Sequence, residues 1–140
     1  MKRYSIKNLS SEFGDDAACL AFIFSILYSY DCNCGGSFQK VSGRRTYQCS
    51  RCRAQVAPAA HTCFHGSRTP LSSWFYVIWL FYGHKGRVHA SEIRDQLGIT
   101  YKCAWRMRQA LEDTGIFKKK GVFQNDFKDL LREIIQIKPK

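Results

Sequence analysis

Apolar residues fall at helical spacing in five stretches of the chain, and at strand spacing in the segment between the first two. From Asp16 to Tyr28 the apolar positions Leu20, Ile23, Phe24 and Leu27 recur at helical spacing, after a run rich in capping residues (Ser10, Ser11, Asp15). This predicts a buried helix. Short alternating runs then predict strands over Ser37–Val41 and Arg45–Cys49, with Ser42-Gly43 as their turn. A third strand fits Gln55–Ala59, kept at an edge by Pro58.

The second half reads as helices. Thr69-Pro70 marks a start, with Thr69 as N-cap, and Leu71–Tyr82 carries Trp74, Phe75, Ile78, Trp79 and Phe81, so it belongs to a core. Gly83 to Gly86 breaks it. A helix over His89–Leu97 follows, then the turn Gly98-Ile99-Thr100, then a helix to Asp113 stopped by Gly115. Two helices joined by a short glycine turn predict a helix-turn-helix. In the second helix Ala104, Met107 and Leu111 share an inward face, which leaves Tyr101, Lys102, Trp105, Arg106 and Gln109 outward. Lys118, Lys119 and Lys120 lie between Ile116-Phe117 and Val122-Phe123, a pattern that fits either a basic wing hairpin or a solvated loop. A last helix over Asp126–Ile137 sets Phe127, Leu130, Leu131, Ile134 and Ile135 on one face. That stripe either packs on its own domain or pairs two copies of the chain.

Charge narrows the function classes. The net charge of +11 exceeds what solubility needs, and nucleic acid is the commonest partner of such a surface. Seven cysteines, an odd number, without a secretory leader point to a reducing compartment, hence a cytoplasmic, nucleoid-associated protein with no disulfide framework. Met1-Lys2-Arg3 is basic, but Asp15-Asp16 precede the apolar run, and that run is too short to cross a bilayer.

Four of the cysteines carry chemistry. Cys49 and Cys52 have the two-residue gap of a metal knuckle, with Arg51 and Arg53 beside them to favour thiolates. Cys32 and Cys34 are one residue apart, followed by Gly35-Gly36, which let the backbone curl under an ion. The soft thiolate set points to structural Zn2+, with iron as the alternative, and leaves no open position for catalysis. Asp31 competes with Cys32 as first ligand. His61, Cys63 and His65 form a reserve cluster that reads either as further ligands or as ordinary packing and surface residues. The organisation expected is α+β: an N-terminal helix (1–30), a zinc ribbon (31–68), a helix-turn-helix domain with its candidate wing (69–123) and an amphipathic helix (124–140).

Three stretches carry a family resemblance. Gly43-Arg44-Arg45-Thr46-Tyr47-Gln48-Cys49-Ser50-Arg51-Cys52, the segment from Thr62 to Phe75, and Leu97-Gly98-Ile99-Thr100-Tyr101-Lys102-Cys103-Ala104-Trp105-Arg106-Met107 together resemble the front end of bacterial insertion-sequence transposases. The group is the IS-fifteen-ninety-five group, related to the eukaryotic Merlin elements. The resemblance covers roughly residues 5 to 112. It implies a zinc ribbon and a helix-turn-helix that bind double-stranded DNA. Together with the outward face of the second helix and the basic runs, this makes Arg44, Arg45, Tyr101, Lys102, Trp105, Arg106, Gln109 and Lys118 to Lys120 the candidate DNA contacts. The family's first knuckle is Cys-Pro-x-Cys-Gly, which places Asp31 where its first cysteine belongs. The family's nuclease domain has no counterpart in the tail. Asp126, Asp129 and Glu133 sit on one short helix and do not make a dispersed two-metal triad. The expectation is a transposase-derived, non-enzymatic DNA-binding protein, a transcriptional regulator. The alternatives are a DNA-binding subunit or remnant that recruits or competes with a nuclease at transposon ends, and a ribbon that binds protein.

Overall fold

The computed structural model describes residues 4–65 and 68–137. Met1 to Arg3, and Gly66 and Ser67 within the family-like segment, therefore lie outside the described residues. Among the described residues the architecture is α+β, with six α-helices and one small three-stranded antiparallel sheet.

Helix α1 (Ile6–Phe13) is not anticipated by the apolar periodicity, because only Leu9 and Phe13 are buried on it. Ser5 caps it by accepting from the Asn8 amide, and the Trp79 indole donates to the Tyr4 carbonyl at 2.9 Å, tying its start to the core. Helix α2 (Asp16–Leu27) begins at Asp15, whose carboxylate accepts from the Ala18 amide at 2.7 Å. Asp16 in its first turn faces the positive end of the helix dipole. The helix is apolar on most sides because neighbours cover most sides: it packs against α1, α3 (Leu71–Gly83) and α6 (Phe127–Gln136).

The strands are β1 (Phe38–Lys40), β2 (Tyr47–Cys49) and β3 (Gln55–Val56), in the order β1-β2-β3. The register pairs Phe38 with Cys49 and Tyr47 with Val56. Beyond Val56 the predicted strand stops, because Pro58 opens a short 3₁₀ turn, Pro58–His61. The ribbon docks on the helices through an aromatic stack: Tyr47 lies 4.1 Å from Phe24, centroid to centroid, at 11° between planes.

Expected and observed caps differ at α3. Thr69 is not its N-cap; Pro70 holds that place without a side-chain bond, and the Ser72 amide donates instead to Asp16 of α2 at 3.2 Å. Helix α4 (Ala90–Leu97) ends at Gly98, which is left-handed at φ 66° as its turn requires. Thr100 caps α5 (Tyr101–Asp113) by accepting from the Cys103 amide.

The segment after α5 is no wing hairpin. Residues 116–118 and 122–124 form two 3₁₀ turns set off by left-handed Gly115 and Gly121. Ile116 and Val122 are buried and Phe117 stacks on Phe81 at 4.7 Å, so apolar burial folds the segment inward where a hairpin would project. Helix α6 buries its whole stripe, Phe127, Leu130, Leu131, Ile134 and Ile135, against α2 and α3 of its own chain. That stripe is therefore not a free surface for pairing two copies. No helix among the described residues is long and apolar enough to cross a membrane.

Candidate metal centre and basic helix face

The sheet register brings the two cysteine pairs together. Pairing Phe38 with Cys49 sets the loop before β1 against the turn after β2, and the Ser50 amide donates to the Ser37 carbonyl at 2.9 Å. The four sulfurs of Cys32, Cys34, Cys49 and Cys52 then lie within 4.8 Å of one another. Cys32 and Cys52 are 3.7 Å apart and Cys34 and Cys49 are 3.4 Å apart. A tetrahedron of sulfurs about 2.3 Å from a central ion has edges of about 3.8 Å, so the donor set fits a four-coordinate thiolate site.

Each knuckle turns amides toward sulfur. The Gly36 N–H donates to Cys34 Sγ and the Arg51 N–H to Cys49 Sγ, both at 3.4 Å. Such bonds favour thiolate and orient the ligand. The Cys52 and Arg51 amides push the Cys49 thiol down to about 6. The Cys34 amide likewise pulls on Cys32, but the crowded sulfurs of Cys34, Cys49 and Cys52, with burial, push that thiol up to about 12. Four thiolates at one point repel one another, and a bound cation removes that conflict.

Two backbone features close the loops. Gly35 is left-handed at φ 92°, and Arg53 after the second knuckle is left-handed at φ 65°. Gly36 is required by space: a Cβ there would lie 2.6 Å from Arg51 Cβ and 2.8 Å from Cys49 Sγ. The Arg51 guanidinium crosses between knuckles and donates to the Cys34 carbonyl at 3.3 Å. Arg51 thus bridges the site, a role its sequence position did not reveal.

Among the described residues this is the only gathering of three or more potential ligand side chains. Asp31 stays outside it, held in an isolated bridge with Ser37, so Cys32 is the fourth donor. His61, Cys63 and His65 are not part of it either. His61 is exposed near the Tyr28 ring, and burial pushes the Cys63 thiol up to about 12.

The candidate DNA contacts separate into groups. Tyr101, Lys102, Trp105 and Arg106 are exposed together on α5, with Tyr101 at 53% and Trp105 at 48%. Gln109 is half-buried, and its amide donates to the Asp113 carboxylate at 3.0 Å. Arg44 is exposed in the β1–β2 turn. Arg45 is not available in the same way: its guanidinium donates to the Thr69 carbonyl at 2.7 Å and lies 3.7 Å from Asp16 Oδ2. It fastens the ribbon to α2 and to the start of α3, a long-range role that spacing does not signal. Lys118, Lys119 and Lys120 are exposed, and Lys119 pairs with Glu133 at 3.7 Å. Comparison with protein-family profiles, curated proteins and solved structures returns no match for the chain.

Proposed function

We propose that this protein binds double-stranded DNA sequence-specifically through α5, that its four cysteines hold Zn2+ as a structural staple, and that it acts as a transposase-derived transcriptional regulator on nucleoid DNA. The exposed face of α5 carries this reading. Tyr101 and Trp105 stand one helical turn apart, interleaved with Lys102 and Arg106, and among the described residues only Ile6 and Tyr30 are also exposed large apolar side chains. A folded chain leaves such aromatics in water mainly where a partner covers them. Basic residues between them suit a polyanion: guanidinium and ammonium groups pair with phosphates or guanine edges, and apolar surface meets thymine methyls.

In this reading α4, the turn at Gly98 and α5 act as a helix-turn-helix, with the N-terminal part of α5 in the major groove. Arg44 adds a phosphate contact from the ribbon, and Lys118 and Lys120 add charge beyond α5. Zn2+ suits four thiolates at tetrahedral spacing and joins loops too small to hold themselves. Cys32, Cys34, Cys49 and Cys52 would hold it, and its role is to fix the ribbon against the helices.

The test is retention of genomic DNA fragments across a salt series, followed by their sequencing. Affinity that falls steeply from 50 mM to 200 mM salt, by about 10²-fold or more, is expected of several phosphate contacts. Recovered promoter sequences support a regulator; recovered transposon ends favour a competitor of an intact transposase. Flat binding in salt, or no retention, overturns the DNA reading.

A further inference from the structure

Beside the exposed face of α5 lies a cavity of about 500 Å³ that the DNA reading does not use. Cys63, His65, Arg68 and Thr69 line one side, and Cys103, Arg106, Met107 and Ala110 of α5 line the other. The chain just before Cys63 is anchored by a buried hydroxyl. Thr62 is fully buried, its hydroxyl donates to the Ala59 carbonyl at 2.7 Å, and it accepts from the Phe64 amide at 3.1 Å. Thr69 Oγ1 and Cys103 Sγ, 3.4 Å apart, join the two sides.

The lining divides by chemistry. Arg68, Arg106 and His65 stand exposed at the cavity, whereas Trp74 and Met107 are buried and, with half-buried Ala110, give it an apolar floor. No carboxylate is among its described lining residues. Two guanidiniums without an acidic neighbour in the lining suit a phosphate. A phosphate alone needs neither this volume nor an apolar floor, and a phosphate on the outside of a duplex needs no cavity. The volume falls within the roughly 300–1,000 Å³ of small-molecule sites. A flat, largely apolar body joined to an anion answers both halves of the lining.

We propose that this cavity takes one unpaired nucleotide, its phosphate between Arg68 and Arg106 and its base against Trp74, Met107 and Ala110. The inference rests on the DNA reading, because Arg106 belongs both to the cavity and to the exposed row of α5, so the nucleotide would come from DNA held there. An unpaired nucleotide at an end has no base pair to break and costs less to unstack, whereas extrusion from a duplex costs a few kcal/mol. The site thus favours DNA with an unpaired terminal nucleotide over a blunt duplex.

The full chain is titrated by calorimetry with dAMP, deoxyadenosine and inorganic phosphate. In parallel, duplexes that are blunt or carry a one-nucleotide overhang are compared. dAMP is expected to bind at least about 10-fold more tightly than either fragment, as when anion and base contacts act together. Arg68→Ala and Ala110→Phe are each expected to weaken dAMP by about 5-fold or more and to erase the overhang preference, leaving blunt-duplex affinity in place. Arg68 is exposed, so its variant stays folded even where Ala110→Phe disturbs packing. Phosphate binding as tightly as dAMP, no dAMP binding, or indifference to both substitutions overturns the proposal. Loss of blunt-duplex binding by the unaltered protein would instead overturn the DNA reading, which dAMP affinity does not report on.

Discussion

Gly36→Ala tests the metal centre at its tightest point. Gly36 has no positive φ, so the substitution introduces no backbone strain of the left-handed kind. Its effect is steric. The new methyl would sit 2.8 Å from Cys49 Sγ and 2.6 Å from Arg51 Cβ, and ordinary contact begins at 3.4 Å. Cys49 Sγ must then retreat by about 0.6 Å, or the backbone must yield, whereas metal–ligand distances hold to about ±0.2 Å. Overpacking of this kind costs about 1–3 kcal/mol. Charged to the metal-bound state, that is about a 5- to 150-fold loss of affinity, since 1.4 kcal/mol is tenfold. Zinc competition with a chromophoric chelator at pH 7 reads it directly. Gly43→Ala is the control: Gly43 lies in the same ribbon, and a methyl there would meet nothing within 4 Å, but its φ is 73°. It should lower stability by about 1–2 kcal/mol through the left-handed penalty and leave zinc affinity nearly unchanged. Equal zinc affinity for Gly36→Ala and the native chain would refute the tight-cage reasoning.

Acid should release the metal. Cys49 is depressed from 9.0 to about 6, so its contribution is fully present above pH 9 and is lost as the pH falls through about 6. Bound metal extends retention to lower pH still, and a release midpoint above pH 7, followed by metal analysis after desalting, would contradict this. Phe127→Ala should destabilise the fold by about 3–5 kcal/mol in denaturant titration, because the ring is fully buried and stacked on Tyr4 at 4.6 Å. The loss should not depend on protein concentration, since α6 packs on its own chain; a concentration-dependent midpoint would contradict that packing. Trp105→Ala should shift stability by no more than about 0.5 kcal/mol, as an exposed position. It should weaken DNA binding about 5- to 150-fold at matched salt, the worth of a good base contact, and unchanged affinity would remove Trp105 from the interface.

Much of the local structure was legible before folding. Thr100 caps α5, Gly98 and Gly115 take left-handed turns, and Ala104, Met107 and Leu111 are buried as their spacing requires. Cys49 and Cys52 were legible for the same reason: a knuckle is a contact across a few residues. Such signals act between a residue and its near neighbours, and the sequence displays those neighbours directly.

Tertiary structure decided what joins distant residues. Whether Asp31 or Cys32 completes the cage depends on which side chain the β1–β2 register turns toward Cys52, and that side chain is Cys32. Arg45 reads as a surface cation until Asp16 and the Thr69 carbonyl arrive from elsewhere in the chain. The apolar pairs around Lys118 to Lys120 suit a hairpin, yet Phe81 offers them a core, and burial overrides the local pattern. The stripe on α6 says only that it must be covered; α2 and α3 supply the cover. An apolar face, a thiol or a guanidinium specifies the chemistry of its partner and leaves the partner's position to the packing of the whole chain.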